Sequence, residues 1–391
     1  MSIGTRKIAV RHGSCHSPIM TTPSPSPLLR RGRALGLALF IAVLPLVHAA
    51  DAPMPIPVLV IATYETGNDT GDVPGELQYW AERQHLDQSI KVPGVDHPLL
   101  TNGKGLYAMV SGTTSRCAVQ IMALAADPRF DLRSTYFIMD GIAGGDPKEV
   151  SLGSAVWVGT TVDNNPAFEI DSREIPASWP YGLVALGATE PGKGSKDVDS
   201  VPAAGASESG TGGVGTVAFK LNPALVAWAY NLTKDVALPN NEAMKAFGAR
   251  FRDNPKAQMP PAVQIGDSIA GDRFFHGALM TKWAEDWVRI YTRGKGTLAV
   301  SDCEDAGAGL AFQRLAQMGK VDFNRLLILR TVCNFIVPAT GVTPQQSLFG
   351  DTISDSSGTA YLPALESAYR VGSVVALELL NHPDSVPKAS P

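Results

Sequence analysis

Residues 300–335 constrain the fold most. They read V-S-D-C-E-D-A-G-A-G-L-A-F-Q-R-L-A-Q-M-G-K-V-D-F-N-R-L-L-I-L-R-T-V-C-N-F. An Ala- and Gly-rich helical pattern follows Glu304, a turn falls at Gly319-Lys320, and an apolar strand spans 326–332, just before Asn334. Strand, helix and strand in this order require a sheet with helices packed against it. Ligands of open α/β sheets bind outside the carboxyl ends of the strands. A carboxylate at one strand end and an amide at the next could therefore meet one small polar molecule.

The N-terminus reads as a targeting segment. Residues 1–50 hold six of the 33 basic residues and none of the 37 acidic ones. Arg30, Arg31 and Arg33 precede an apolar run at 34–47 that ends in small residues. This is the pattern of a secretory signal peptide cleaved near Ala49 or Ala50, with a secreted, periplasmic product expected. An uncleaved anchor is the alternative, although the run is short for a span of ~20 residues. The remaining 27 basic and 37 acidic residues give a net charge of −10, which argues against nucleic acid as a partner. Cys117, Cys303 and Cys333 follow neither a disulfide framework nor a zinc pattern, so no metal is expected. Cys303 and Cys333 could pair if their strand ends adjoin; buried free thiols are the favoured reading. No later stretch has the ~18 uninterrupted apolar residues of a membrane helix.

Further strands are expected at 56–62, 106–110, 135–139, 154–162 and 263–269, with helices at 115–126, 222–233, 241–252 and 362–380. The stretch 282–291 reads as helical or extended. Strand following strand after residue 145 implies a mixed sheet rather than a doubly wound parallel one. Glu65 and Glu76, in the loop after the first strand, could reach a site, but solvated loop acids are the simpler reading. Ser111, Gly112, Thr113 and Thr114 precede a helix and offer hydroxyls and backbone N–H groups to an anion. The glycines at 141, 144 and 145 form an expected turn where backbone approaches a ligand. Residues 169–174 cluster Glu169, Asp171, Arg173 and Glu174, best read as a structural or inter-subunit ion-pair cluster. The 188–216 stretch, rich in Gly, Ser, Ala and Asp, is expected to be a flexible surface loop within one domain covering 51–391.

Several short motifs then fall in one order: M-V-S-G-T-T-S-R-C-A-V at 109–119, Y-F-I-M-D-G-I-A-G-G-D-P at 136–147, E-I-D-S-R-E-I-P at 169–176, G-D-R-F-F at 271–275, and the D-C-E-D-A-G and R-T-V-C-N-F runs. Together they resemble the purine nucleoside permease family, relatives of the nucleoside phosphorylase superfamily, over nearly all of 56–380. The resemblance implies a three-layer α/β/α fold with a mixed central sheet, nucleoside phosphorylase-like. It implies that Ser111 to Thr114 bind phosphate or the attacking water, and that Gly141, Ile142, Ala143 and Gly144 lie along the nucleoside. Phe274 would pack on the base, Glu304 would take the ribose hydroxyls, and Asn334 would face N7 of the purine. Arg330 and Arg116 are the candidate phosphate ligands.

Cleaving an N-glycosidic bond builds positive charge on the sugar and negative charge on the purine, so these roles suit the chemistry. Asn334 stands where one branch has aspartate. An amide cannot give a proton to N7 but can hydrogen-bond N7 and O6 of a 6-oxopurine. Ile142 stands where the enzymes often have serine. The expected function is binding of purine nucleosides with N-glycosidic cleavage, by phosphorolysis or hydrolysis, and no cofactor beyond inorganic phosphate as a co-substrate. The alternative is a non-catalytic component of nucleoside uptake that works with a membrane partner. A homo-oligomer is compatible with either.

Overall fold

The computed structural model describes residues 52–194, 216–352 and 359–387. The signal segment expected at 1–50 lies outside these residues, as does most of the loop expected at 188–216. Seven strands carry the core: β1 (Val58–Ala62), β2 (Leu106–Val110), β3 (Tyr136–Gly145), β4 (Ala155–Asp163), β5 (Val263–Ala270), β6 (Leu298–Asp302) and β7 (Leu326–Phe335). β1 is buried at every residue, as a V-L-V-I-A run covered on both faces must be. It pairs in parallel with β2 on one side and β3 on the other. Short strands Leu99–Thr101 and Gln88–Ile90 extend that edge, and Ala218–Lys220 borders β4, making ten strands in this sheet among the described residues.

The far half of the sheet closes on itself. β7 runs parallel to β3 and antiparallel to β4. β4 pairs with β5, β5 with β6, and β6 returns to β3 at Gly144 and Gly145. Five strands thus form a ring, which the reading of the sequence as a mixed sheet did not anticipate.

Helices cover both faces. The main ones are α1 (Gln78–Arg83), α2 (Thr114–Ala126), α3 (Ala278–Tyr291), α4 (Asp305–Gln317) and α5 (Tyr361–Asn381). Neighbouring strand residues point to opposite faces. In β7, Arg330 turns to Asp305 of α4, while the Thr331 hydroxyl donates to the Ala364 carbonyl of α5 at 2.9 Å. In β3, Phe137 packs on Phe312 of α4 with ring centroids 4.5 Å apart, while Asp140 accepts from the Trp80 indole of α1 at 2.7 Å. The three-layer α/β/α architecture with a mixed sheet is therefore present. Small residues let α4 lie close: a Cβ on Gly309 would stand 2.6 Å from the Phe219 ring.

Two local expectations need correction. The glycines at 141–145 are not a turn; they continue β3, paired with β7 as far as Phe335 against Gly145. Asn334 likewise lies within β7 rather than past its end. Both errors have one cause. Glycine breaks a strand pattern read in isolation, but here the partner strand supplies a ladder, and neighbouring side chains fill the space that a Cβ would take. A Cβ on Gly145 would meet Val150 and Val332 at 2.5 and 2.6 Å. The stretch 282–291 is resolved as helical. The three described cysteines are free thiols.

Candidate functional site

A cavity of about 250 Å³ opens where β3, β6 and β7 end, and its lining includes Ile142, Ala143, Gly144, Phe274, Glu304 and Asn334. The structure thus brings together six residues singled out from sequence. Thr63, Tyr64, Glu76, Arg273, Asp302 and Cys333 also line it.

Asn334 owes its position to an irregularity. Along the β3–β7 ladder, Val332 pairs with Ala143 and Asn334 with Gly144, so Cys333 is an extra residue. A bulge of this kind reverses which face every later side chain meets. The Asn334 Oδ1 is buried without a hydrogen-bond partner, and a Cβ on Gly144 would stand 3.0 Å from it. Gly144 therefore leaves the room that the amide occupies. An unpaired buried amide oxygen is costly unless a ligand supplies a donor. Phe274 stands at the mouth, 55% exposed.

Glu304 is placed by the start of α4. Asp302 accepts the backbone N–H groups of Glu304 and Asp305 at 3.0 and 2.9 Å, which turns the chain from β6 into the helix. Behind these acids lies Arg330, wholly buried, donating from Nε and Nη2 to Asp305 at 3.0 and 2.5 Å. Its Nη2 also lies 3.2 Å from Glu304 and 3.9 Å from Asp302. Burial pushes the Glu304 carboxyl up to about 8, against the opposing charge of Arg330. Burial likewise holds Asp302 well above the ordinary carboxylate range.

Glu76 is the participant that sequence reasoning did not assign. Burial raises its carboxyl too, opposed by Arg330 and by hydrogen bonds. Its Oε2 accepts from the Thr63 N–H at 2.7 Å and the Thr63 hydroxyl at 2.5 Å, and its Oε1 accepts from the Ile142 N–H at 2.7 Å. Glu65, its counterpart in the same loop, turns away and accepts the N–H groups of Gly75, Leu77 and Gln78 at the start of α1. Gly75 permits this fold-back, since a Cβ there would sit 2.7 Å from the Glu65 Cα. Gly141 does the same under the site: a Cβ would meet Glu76 Oε1 at 2.4 Å and Arg330 Nη1 at 2.6 Å. The sequence placed both acids in the loop after the first strand, within reach of a site, but did not separate Glu76 from Glu65; the glycines mark a close approach without saying of what.

Other expected residues lie off the cavity. None of Ser111, Gly112 and Thr113 lines it. The N–H groups of Ser111 and Gly112 donate to the carbonyls of Ala62 and Thr63, both at 2.9 Å. Arg330 stands behind the carboxylates rather than in the lining, and Arg116 is exposed on α2. The 169–174 cluster forms exposed pairs, Arg173 with Asp171 at 2.8 Å and Arg273 with Glu169 at 3.1 Å.

Fold and site together define an α/β protein with a closed strand ring and an acid-lined cavity at its strand ends. The family model described as purine nucleoside permease (NUP) matches residues 55–389, and the chain belongs to that family. It is 26% identical to a protein named purine nucleoside permease of Candida albicans over 327 residues, which cover 80% of this chain and 74% of the relative. It is 27% identical to a Schizosaccharomyces pombe protein named "Probable purine nucleoside permease C285.05" over 268 residues, 68% of this chain and 73% of that one. A crystal structure of 5′-methylthioadenosine/S-adenosylhomocysteine nucleosidase from Neisseria meningitidis aligns at TM-score 0.44 and 14% identity, covering 81% of this chain and 97% of that one.

Proposed function

We propose that this chain binds purine nucleosides in the cavity beside β3, β6 and β7 and cleaves their N-glycosidic bond, with 6-oxopurine nucleosides preferred. The observation that carries the reading is the presence of Glu304 and Asn334 in the lining of one small cavity, with Phe274 at its mouth. A carboxyl group beside the ribose accepts from or donates to its hydroxyls. The Asn334 amide suits N7 and O6 of a 6-oxopurine, and the apolar ring of Phe274 offers a surface for base stacking. Burial strengthens each electrostatic contact as positive charge grows on the sugar. Purified protein incubated with inosine is expected to release hypoxanthine; none at high protein load would refute cleavage.

The family favours a second reading, a component of nucleoside uptake that binds without turnover. No helix among the described residues is long and apolar enough to cross a membrane, so this reading includes a membrane partner. Tight inosine binding without product, with lowered uptake in a deletion strain, would support it. Both readings include export through the N-terminal segment, which N-terminal sequencing of the protein from cells tests by a start near Asp51.

A further inference from the structure

Tyr64 lines the cavity just past the end of β1 and has no part in the binding proposed above. Its carbonyl accepts the Glu76 N–H at 3.1 Å, which ties it into the loop that carries Glu76. Its partners fix the direction of its hydroxyl proton. The Pro74 carbonyl can only accept, so the Tyr361 hydroxyl, at the start of α5, donates to it at 3.0 Å. The Tyr361 oxygen then accepts from the Tyr64 hydroxyl, also at 3.0 Å. A phenol has one proton, and that of Tyr64 is committed to Tyr361. Burial raises the Tyr64 phenol far above its ordinary value, and Glu76 and the bond to Tyr361 push the same way, so the proton stays on. The half-buried Tyr64 oxygen keeps a lone pair, to which no described residue donates. It is an acceptor awaiting a donor.

Resting on the nucleoside-binding reading, and not on cleavage, we propose that Tyr64 accepts a hydrogen bond from the 5′-hydroxyl of the bound nucleoside. It thereby restricts the site to nucleosides whose 5′-oxygen carries a proton. Tyr64 and Asn334 come to the cavity from opposite edges of β3, since β1 pairs with one edge of that strand and β7 with the other. Ile142, Ala143 and Gly144 of β3 share the lining with them. A nucleoside with its purine at Asn334 extends across β3, and the end of its sugar remote from the base reaches Tyr64. Glu304, entering from the end of β6, takes the vicinal 2′- and 3′-hydroxyls, which one carboxyl group can bind together. The hydroxyl that remains is at C5′. An ether or thioether there has no proton to give and meets the Tyr64 oxygen lone pair to lone pair. A sugar without a 5′-oxygen leaves that acceptor unpaired.

Calorimetric titration of the purified chain with inosine and its deoxy analogues tests this. Inosine is expected to bind roughly three- to tenfold more tightly than 5′-deoxyinosine, the range of one neutral hydrogen bond. Tyr64→Phe is expected to lower inosine affinity by the same factor and to leave 5′-deoxyinosine unchanged. The ratio of inosine to 2′-deoxyinosine should stay as in the wild type. Equal wild-type affinities for inosine and 5′-deoxyinosine, or a Tyr64→Phe loss shared by 5′-deoxyinosine, overturn the proposal. Tyr361→Phe separates the contact from its support, because it deletes the same bond between the tyrosines but keeps the Tyr64 oxygen. That variant is expected to retain the preference for inosine over 5′-deoxyinosine; loss of the preference would show that the tyrosine pair acts only as a brace. Should Tyr64→Phe fail to fold, the wild-type comparison of the two ligands still decides. No inosine binding to the wild type refutes the nucleoside reading itself, whereas inosine binding without discrimination at C5′ refutes this proposal alone.

Discussion

Two acid-rich stretches of this chain meet opposite fates. Residues 169–174 crowd Glu169, Asp171, Arg173 and Glu174 together in sequence, yet they form solvent-exposed pairs. Residues 302–305 hold three acids whose cation, Arg330, lies 25 positions beyond Asp305, and all four side chains are buried. Proximity in sequence made the first cluster conspicuous and said nothing about its energetic weight. Exposed ion pairs contribute little because water and salt screen them, whereas a buried charge stripped of its partner is strongly unfavourable. The contrast teaches that the useful acids are those the fold removes from water.

Removing the cation should break the contrast most severely. Arg330→Met removes the buried guanidinium that donates twice to Asp305 and is expected to destabilise the protein by about 3–5 kcal/mol in urea unfolding. A loss no larger than that of an exposed pair would show the cluster to be no more than a surface feature moved inward. Next comes Gly141→Ala, whose methyl would press on Glu76 and Arg330. About 1–3 kcal/mol of stability is expected to be lost, together with nucleoside affinity. Full retention of both would mean that the two charged groups move apart freely.

Glu304→Gln sharpens the assignment within the cluster. Ribonucleoside affinity is expected to fall tenfold or more, about 1.4 kcal/mol, with free base little affected. Equal losses for both would remove Glu304 from the ribose. Asp140 probes burial without an ion pair. Burial pushes its carboxyl to about 7 against the Trp80 hydrogen bond. A group protonated in the fold and ionised in the unfolded chain contributes stability below its ordinary value of 3.8, and loses it as pH rises to about 7. Glu304 acts in the same sense up to about 8. Tm should therefore fall as pH rises through this range, and less steeply in Asp140→Asn; parallel slopes would refute the buried, protonated state. Arg173→Ala, in the exposed stretch, should leave the urea midpoint unchanged.

Much of the fold was legible. Continuous apolar runs located β1, β2 and β7 because strands buried on both faces leave little room for polar residues. The ring was not legible, because one strand pairing with two others is a property of register rather than of any run. Glu76 and Glu65 show the same limit in the site. Both are loop acids of similar sequence surroundings, and only the approach of Gly75 to Glu65 and of Gly141 to Glu76 sends one to cap a helix and the other into the cavity.

By itself the sequence determined the strand and helix order, the α/β class, and the motifs that gather Phe274, Glu304 and Asn334. Those depend on local patterning, which survives in one dimension. Tertiary structure alone decided that Arg330 stands behind the carboxylates, that Glu76 joins them, and that an extra residue at Cys333 turns Asn334 to its place beside Gly144. Burial and register set each of these, and both arise only when segments far apart in the chain pack together.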